Sequence, residues 1–248
     1  MLLAQGGDQK PSASAVHKKL AAELAKQGSD YTTARKALQK SDAYTKARKA
    51  RDNKALRKLL SSLKTPDAVG LANKAVKAAE SYDSEGACKL LSWAAVICRD
   101  TKMIQKLVPL IEQKHIKDKN LVELLENGSI LSRPLGKDEA GRFLDKVIAE
   151  SPHDVPKAWA FYWKAKLLGQ SGRGPGIKAE AAKLIAKAEQ LGKGSILADM
   201  IAGPRFKQER LQKGMVAPNI VGEDIDGVKF ELNDYRGKVV VLDFWGFW

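Results

Sequence analysis

The chain has 248 residues, 44% hydrophobic and 29% charged, which leaves room for one or two domains and excludes a wholly disordered chain. No apolar run approaches the roughly 20 residues that span a bilayer, and two cysteines exclude a disulfide-dense scaffold. The formal net charge of +14 is uneven: residues 1–64 hold 15 basic and 5 acidic side chains, residues 65–213 hold 25 and 18, and residues 214–248 hold 3 and 6. The reversal of sign near Gly214 is expected to mark a domain boundary.

Residues 1–13 read as a disordered or processed N-terminus. Met1–Gly7 is too short for a complete signal peptide, which needs a basic start and a longer apolar core. From residue 14 to about 205 the pattern is helical. Val16, Leu20 and Leu24 recur every four residues, and Leu56, Leu59, Leu60 and Leu63 give the fuller i, i+3, i+4, i+7 stripe. Thr65-Pro66-Asp67 breaks the chain and caps a helix to about Ala79, with Pro66 expected in its first turn. Apolar helical faces follow at Leu90–Cys98, Met103–Ile111, Leu121–Leu125, Phe143–Ile148, Trp159–Leu168, Ile177–Leu191 and Ile196–Ile201. Turn-formers separate them, notably Asn127-Gly128-Ser129, Ser151-Pro152 and the glycine-rich stretch from Ser171 to Gly176.

Short helices joined by short turns pack as hairpins, and strings of hairpins make a bundle or an α-solenoid. Leu168-Gly169, followed by Ala181, Ile185 and Ala188, resembles the small and large positions of a tetratricopeptide repeat, although Gly172 and Lys193 stand where that motif has Tyr and Pro. Such an array reads equally as a binding surface for a peptide or protein partner and as a domain that only packs and spaces. The basic N-terminal third, with Lys36, Lys40, Lys46, Lys49, Lys54 and Lys58 dispersed and no aromatic residues alternating with them, reads first as a solvated face and second as a site for anionic partners; nucleic acid is not favoured.

Several residues that invite a chemical role read better as structure. Cys88 and Cys98 lie ten apart on one helix, about 15 Å along its axis, beyond disulfide reach. His17, His115 and His153 have no second ligand at i+3 or i+4, so no metal site is expected. The Gly172–Gly176 loop lacks the Lys-Ser/Thr ending of a phosphate-binding loop. Trp159 and Trp163 share a helix face and are expected in the core. No cofactor is expected.

Residues 206–213 read as a linker, and from Gly214 the texture changes. Asp226-Gly227 signals a hairpin between Ile220–Ile225 and Val228–Leu232. Asn233–Lys238 is a turn, and Val239–Trp245 is a nearly continuous apolar run, the pattern of a central strand buried on both faces. Ala217-Pro218, Asp226-Gly227, Leu232, Tyr235-Arg236-Gly237-Lys238, Val239–Leu242 and Phe244-Trp245-Gly246-Phe247-Trp248 occur in this order. Together they resemble the opening of a thioredoxin-like redoxin domain, in the superfamily of TlpA-like thiol–disulfide reductases and peroxiredoxins.

The chain is expected to be mostly α: its periodicity gives a helical repeat-like domain over 14–205, and the resemblance implies the first strands of a truncated thioredoxin-like α/β domain over 214–248. It implies a Cys-x-x-Cys pair just after Trp248, at a helix N-terminus, where the helix end lowers the first thiol's pKa and the second thiol resolves the mixed disulfide. No catalytic residue of that motif has a counterpart in these 248 residues, so the chain is expected to be a fragment without dithiol activity. Phe247-Trp248 resembles the reductase branch more than the peroxidase branch. The family further implies a protein disulfide or dithiol as partner and an extracytoplasmic, cell-envelope location. The alternative is a non-catalytic helical scaffold that binds protein or anionic partners.

Overall fold

In the computed structural model, residues 10–172 and 174–244 are described. They form twelve α-helices and one two-stranded sheet. In chain order the helices are α1 (Ala13–Lys40), α2 (Asp42–Lys49), α3 (Asn53–Ser61), α4 (Ala68–Ala79), α5 (Ser84–Cys98), α6 (Thr101–Lys114) and α7 (Val122–Glu126). After these come α8 (Ser132–Leu135), α9 (Lys137–Glu150), α10 (Asp154–Ser171), α11 (Pro175–Leu191) and α12 (Ile196–Arg210). The strands β1 (Val221–Glu223) and β2 (Lys229–Glu231) follow. The described residues are therefore mostly α, and the β1–β2 hairpin is the only sheet among them.

Side-chain caps start the first six helices. Ser12, Ser41, Asp52, Asp67, Asp83 and Asp100 each accept a backbone N–H of the following turn, satisfying donors that the helix itself leaves free. Asp67 is the cap of α4, so Pro66 lies before the helix and not in its first turn. There it still fixes the entry, because proline holds the backbone extended ahead of the cap. Helix ends are less conventional. Arg51 and Arg99 take left-handed backbone angles, φ 55° and 47°, where glycine is the usual occupant.

The chain divides into a unit ending at Leu197 and a unit beginning at Ala198. In the first, α4 and α5 pack closely through small residues, with Ala72, Ala75, Ala94, Ala95 and Cys88 fully buried. Alanine on both sides lets the helix axes approach, and Leu71, Leu90 and Leu91 fill the seams. A second cluster joins α7, α9 and α10 through Leu124, Leu125, Phe143, Leu144, Val147 and Trp159. The α10–α11 hairpin then extends it through Ala165, Leu184 and Ala188. Trp159 is core as expected. Trp163 is half-buried, and its indole N–H donates to the Leu125 carbonyl at 2.6 Å. Pro109 sits inside α6 on its exposed face, so the backbone bond it removes is on the solvent side.

In the second unit, α12 runs on through residues 206–210. The sheet is antiparallel, pairing Val221 with Glu231, Gly222 with Phe230 and Glu223 with Lys229. Val239–Phe244 has no strand pairing among the described residues. The apolar pattern is that of a central strand, which is expected to stay exposed where no sheet partner covers it, and Val239 is 99% and Val241 88% exposed. A strand exists only where a neighbour satisfies its backbone, and neither β1 nor β2 extends to this segment.

Candidate functional site

The motif residues of the second unit are turn-makers, and their geometry explains their identities. The hairpin loop spans Asp224–Val228. Gly227 N–H donates to the Asp224 carbonyl at 3.0 Å, and Asp224 N–H donates to the Val228 carbonyl at 2.9 Å. The Asp224 carboxylate also accepts from Asp226 N–H and Val228 N–H, each at 2.9 Å. Gly227 has φ 77°, the left-handed glycine that follows a turn in a bulged hairpin. The turn is thus five residues organised by Asp224, where the sequence pattern suggests a two-residue Asp226-Gly227 loop.

Tyr235-Arg236-Gly237-Lys238 is a second turn, closed by Lys238 N–H donating to the Tyr235 carbonyl at 3.0 Å. Arg236 has φ −57°, ψ 137°, and Gly237 has φ 84°. These are type II angles, which require a positive φ at the third position and explain the glycine. The Arg236 guanidinium donates to Asn233 Oδ1 at 2.9 Å. Ahead of this turn, the side chains of Glu231 and Asp234 cap each other's backbone around a single 3-10 turn, Leu232–Tyr235.

Asn219 ties these pieces together. Its Nδ2 donates to Glu231 Oε2 at 2.8 Å and its Oδ1 accepts from Asn233 N–H at 3.0 Å, beside the Leu232 N–H to Ile220 carbonyl bond at 2.9 Å. Half-buried Pro218 and exposed Ala217 precede it. The hairpin therefore brings the Ala217-Pro218 end beside the stretch leading into Tyr235–Lys238, and holds Asp226-Gly227 at the opposite tip. Phe244 is 79% exposed, and Trp245 and Trp248 lie outside the described residues. Asn219 has no signal in sequence beyond an amide just before a strand.

The first unit holds two polar contacts that helical spacing could not reveal, because their partners are distant in sequence. His17 of α1 packs edge-on against Trp93, with ring centroids 5.5 Å apart. Its Nε2 lies 3.4 Å from Glu123 Oε1 without hydrogen-bond geometry. Burial, then the nearby Lys89 charge, lowers the His17 pKa, and burial raises Glu123 to about 7. Both shifts favour neutral forms, so at neutral pH this is a polar contact and not a committed ion pair. His115 Nδ1 sits 3.0 Å from Ser84 Oγ, and burial lowers its pKa as well.

The two cysteines offer no redox pair. They stand on α5, Cys88 fully buried and Cys98 half-buried, and both are free thiols. Burial pushes Cys88 up to about 12 and raises Cys98 also, which suppresses the thiolate that attacks a disulfide. Among the described residues no group of three or more His, Cys, Asp or Glu side chains is placed to hold a metal ion, and no helix is long and apolar enough to cross a membrane.

Comparison with known proteins gives a short, consistent relationship. The chain is 50% identical over 42 residues to a thiol-disulfide oxidoreductase ResA of Bacillus thuringiensis, a stretch that covers 17% of this chain and 24% of that protein. It is 49% identical over 41 residues to ResA of Bacillus subtilis, covering 16% and 23%. ResA of Geobacillus thermodenitrificans matches at 51% over 35 residues, covering 14% and 20%. The chain thus spans about a quarter of the length of the relatives it matches. No family model matches, and no solved structure matches significantly. A thioredoxin-like oxidoreductase relationship holds over this short region.

Proposed function

We propose that residues 214–248 are the opening of a thioredoxin-like domain in a thiol–disulfide oxidoreductase, and that the helical domain is its partner-binding part. The observation that carries this reading is the roughly half-identical match to ResA proteins. The turn geometry supports it, because Gly227 and Gly237 occupy left-handed positions that the motif spacing requires. The Cys-x-x-Cys centre follows Trp248 in a longer protein, of which these residues are a fragment. There the first thiolate attacks one sulfur of a protein disulfide, breaks its S–S bond, expels the other sulfur as a thiolate and forms a mixed disulfide. The second thiol gives up its proton and attacks the first cysteine's sulfur, displacing the substrate's remaining sulfur, which takes up a proton, so two electrons pass from the dithiol to the substrate. Reduction of disulfides fits the Phe247-Trp248 ending better than peroxide reduction. Action on secreted or envelope proteins places the work outside the cytoplasm, where disulfides persist.

The test is the intact mass of the natural product together with its coding sequence past codon 248. A longer product that continues as Cys-x-x-Cys and reduces insulin disulfides, while the 248-residue chain does not, is the expected result. A product ending at Trp248, or a longer one inert toward insulin, would overturn the redox reading.

A further inference from the structure

Helices α2 and α3 are joined by a tight corner at Arg51, and an open groove of about 590 Å³ lies between them. Its floor is small and apolar, made by Ala47 of α2 with Ala55 and Leu59 of α3, while Ala43 and Ala50, the residue just past α2, flank it and Asp52 and Ser62 complete the lining. These positions repeat at three and four residues, so each helix turns one continuous face to the groove. Helix α3 has no fully buried residue, and its three leucines, 56, 59 and 60, are only half-buried, as is Leu63 just past its end. Its apolar stripe has partial cover from its own fold.

Charge says what kind of cover is missing. Between Ser41 and Lys64 stand eight Lys and Arg against two Asp. Lys46 and Lys58 line the groove from opposite helices. The two carboxylates face helix starts: Asp52 accepts the N–H groups of Lys54 and Ala55, and Asp42 stands in the first turn of α2. Among the described residues the ion pairs involve none of these eight cations. A concave apolar floor under a positive rim complements a helix with an apolar face and acidic flanks.

We propose that the α2–α3 groove docks an acidic amphipathic helix of a partner protein. The shape argues against the other anionic surfaces. Membrane insertion needs protruding bulky or aromatic side chains, whereas the exposed apolar residues bordering this groove are Ala43 and Ala50 at its sides. A phosphate backbone gains nothing from an alanine floor, and the one aromatic residue between residues 41 and 64, Tyr44, is half-buried and does not line the groove to stack on bases. The proposal rests on reading the helical domain as the partner-binding part, and it is independent of the thiol chemistry.

The experiment uses the whole 248-residue chain and a fluorescein-labelled 18-residue helical peptide with leucine on one face and glutamate along both flanks. An isomer of the same composition with the two residue types dispersed, polyglutamate, vesicles of phosphatidylglycerol and phosphatidylcholine, and a DNA duplex serve as competitors. Fluorescence anisotropy at low salt is expected to show saturable binding at least tenfold tighter for the amphipathic peptide than for its isomer. Lys46→Glu with Lys58→Glu should weaken it at least tenfold, and a peptide with lysine in place of glutamate should recover the loss. Ala50→Trp fills the exposed side of the groove without changing charge, and should weaken the peptide while leaving polyglutamate unchanged; circular dichroism confirms that each variant remains helical. Equal affinity for peptide and isomer would overturn the proposal. So would binding of vesicles or DNA in preference to the peptide, or self-association of the chain abolished by Ala50→Trp. Insulin reduction by the longer protein should be unaffected by the variants, which separates failure here from failure of the redox reading.

Discussion

Glu123 illustrates how a single buried carboxyl sets a pH dependence. Its ordinary pKa is 4.5 and burial raises it to about 7 in the fold. A raised folded pKa means that the group's favourable contribution is complete below pH 4.5 and is lost as pH rises through 7. A shift of this size corresponds to on the order of 1–3 kcal/mol for a side chain that keeps some contact with water. His17 acts in the opposite sense: its lowered pKa gives stability that is complete above 6.5 and lost as pH falls through the folded value. Glu123→Gln should therefore abolish the decline between pH 5 and 8 and exceed the parent in stability at pH 8, as urea titrations at several pH values would show. A parallel decline in both proteins would mean that Glu123 ionises freely. Gly128 gives a second residue-level test. A Cβ there would lie 2.4 Å from Trp163 Cδ1, so Gly128→Ala must displace the indole that donates to Leu125. The expected cost is ~1–3 kcal/mol, with a shift in tryptophan emission; an unchanged melt and spectrum would contradict it.

Elements differ in how plainly the sequence announces them. The start of α4 is legible from Asp67, whereas Asp52, Asp83 and Asp100, which cap α3, α5 and α6 in the same way, stand out only once their carboxylates are seen to accept the N–H groups of the turn that follows. The break between α2 and α3 is not, since no glycine or proline marks it and Arg51 adopts the left-handed angle itself. The hairpin is legible from Asp226-Gly227, but its true organiser, Asp224, is visible only once its carboxylate is seen to accept two N–H groups. Contacts such as His17 with Glu123 and Ser84 with His115 lie beyond periodicity, because helix packing and not spacing brings them together. Val239–Leu242 is the case where pattern and structure part. Its composition suits a buried strand, while its backbone has no ladder partner among the described residues. Its amides should exchange with deuterium in seconds to minutes at neutral pH, while those of Leu90–Ala94 in α5 persist for hours or more. Protection of Val239–Leu242 equal to that of α5 would show that a sheet partner exists.

At the scale of the whole molecule, the question is where two electrons could be held. A disulfide reductase needs two thiols within bonding reach, one of them ionised near neutral pH. This chain has two cysteines in all. They stand at the two ends of the stretch Cys88–Cys98 on α5, about 15 Å apart by helix rise, and the buried one is pushed up to about 12. Their positions suit packing: Cys88 is enclosed and within 3.9 Å of Ser92 Oγ. Burial and separation of these two thiols suit a packing role, and in the proposed function the redox step falls to a Cys-x-x-Cys pair of a longer protein and not to α5. Replacing both Cys88 and Cys98 by alanine in that longer protein should leave insulin reduction within about twofold of the parent, with a modest loss of stability from the small cavity at Cys88. In the parent, Cys98 should react slowly with iodoacetamide and Cys88 only after unfolding, so mass spectrometry before and after denaturant would record the order. A fall in activity of tenfold or more in a double variant that still melts cooperatively would place α5 inside the electron path. The division of labour between the two units would then have to be redrawn.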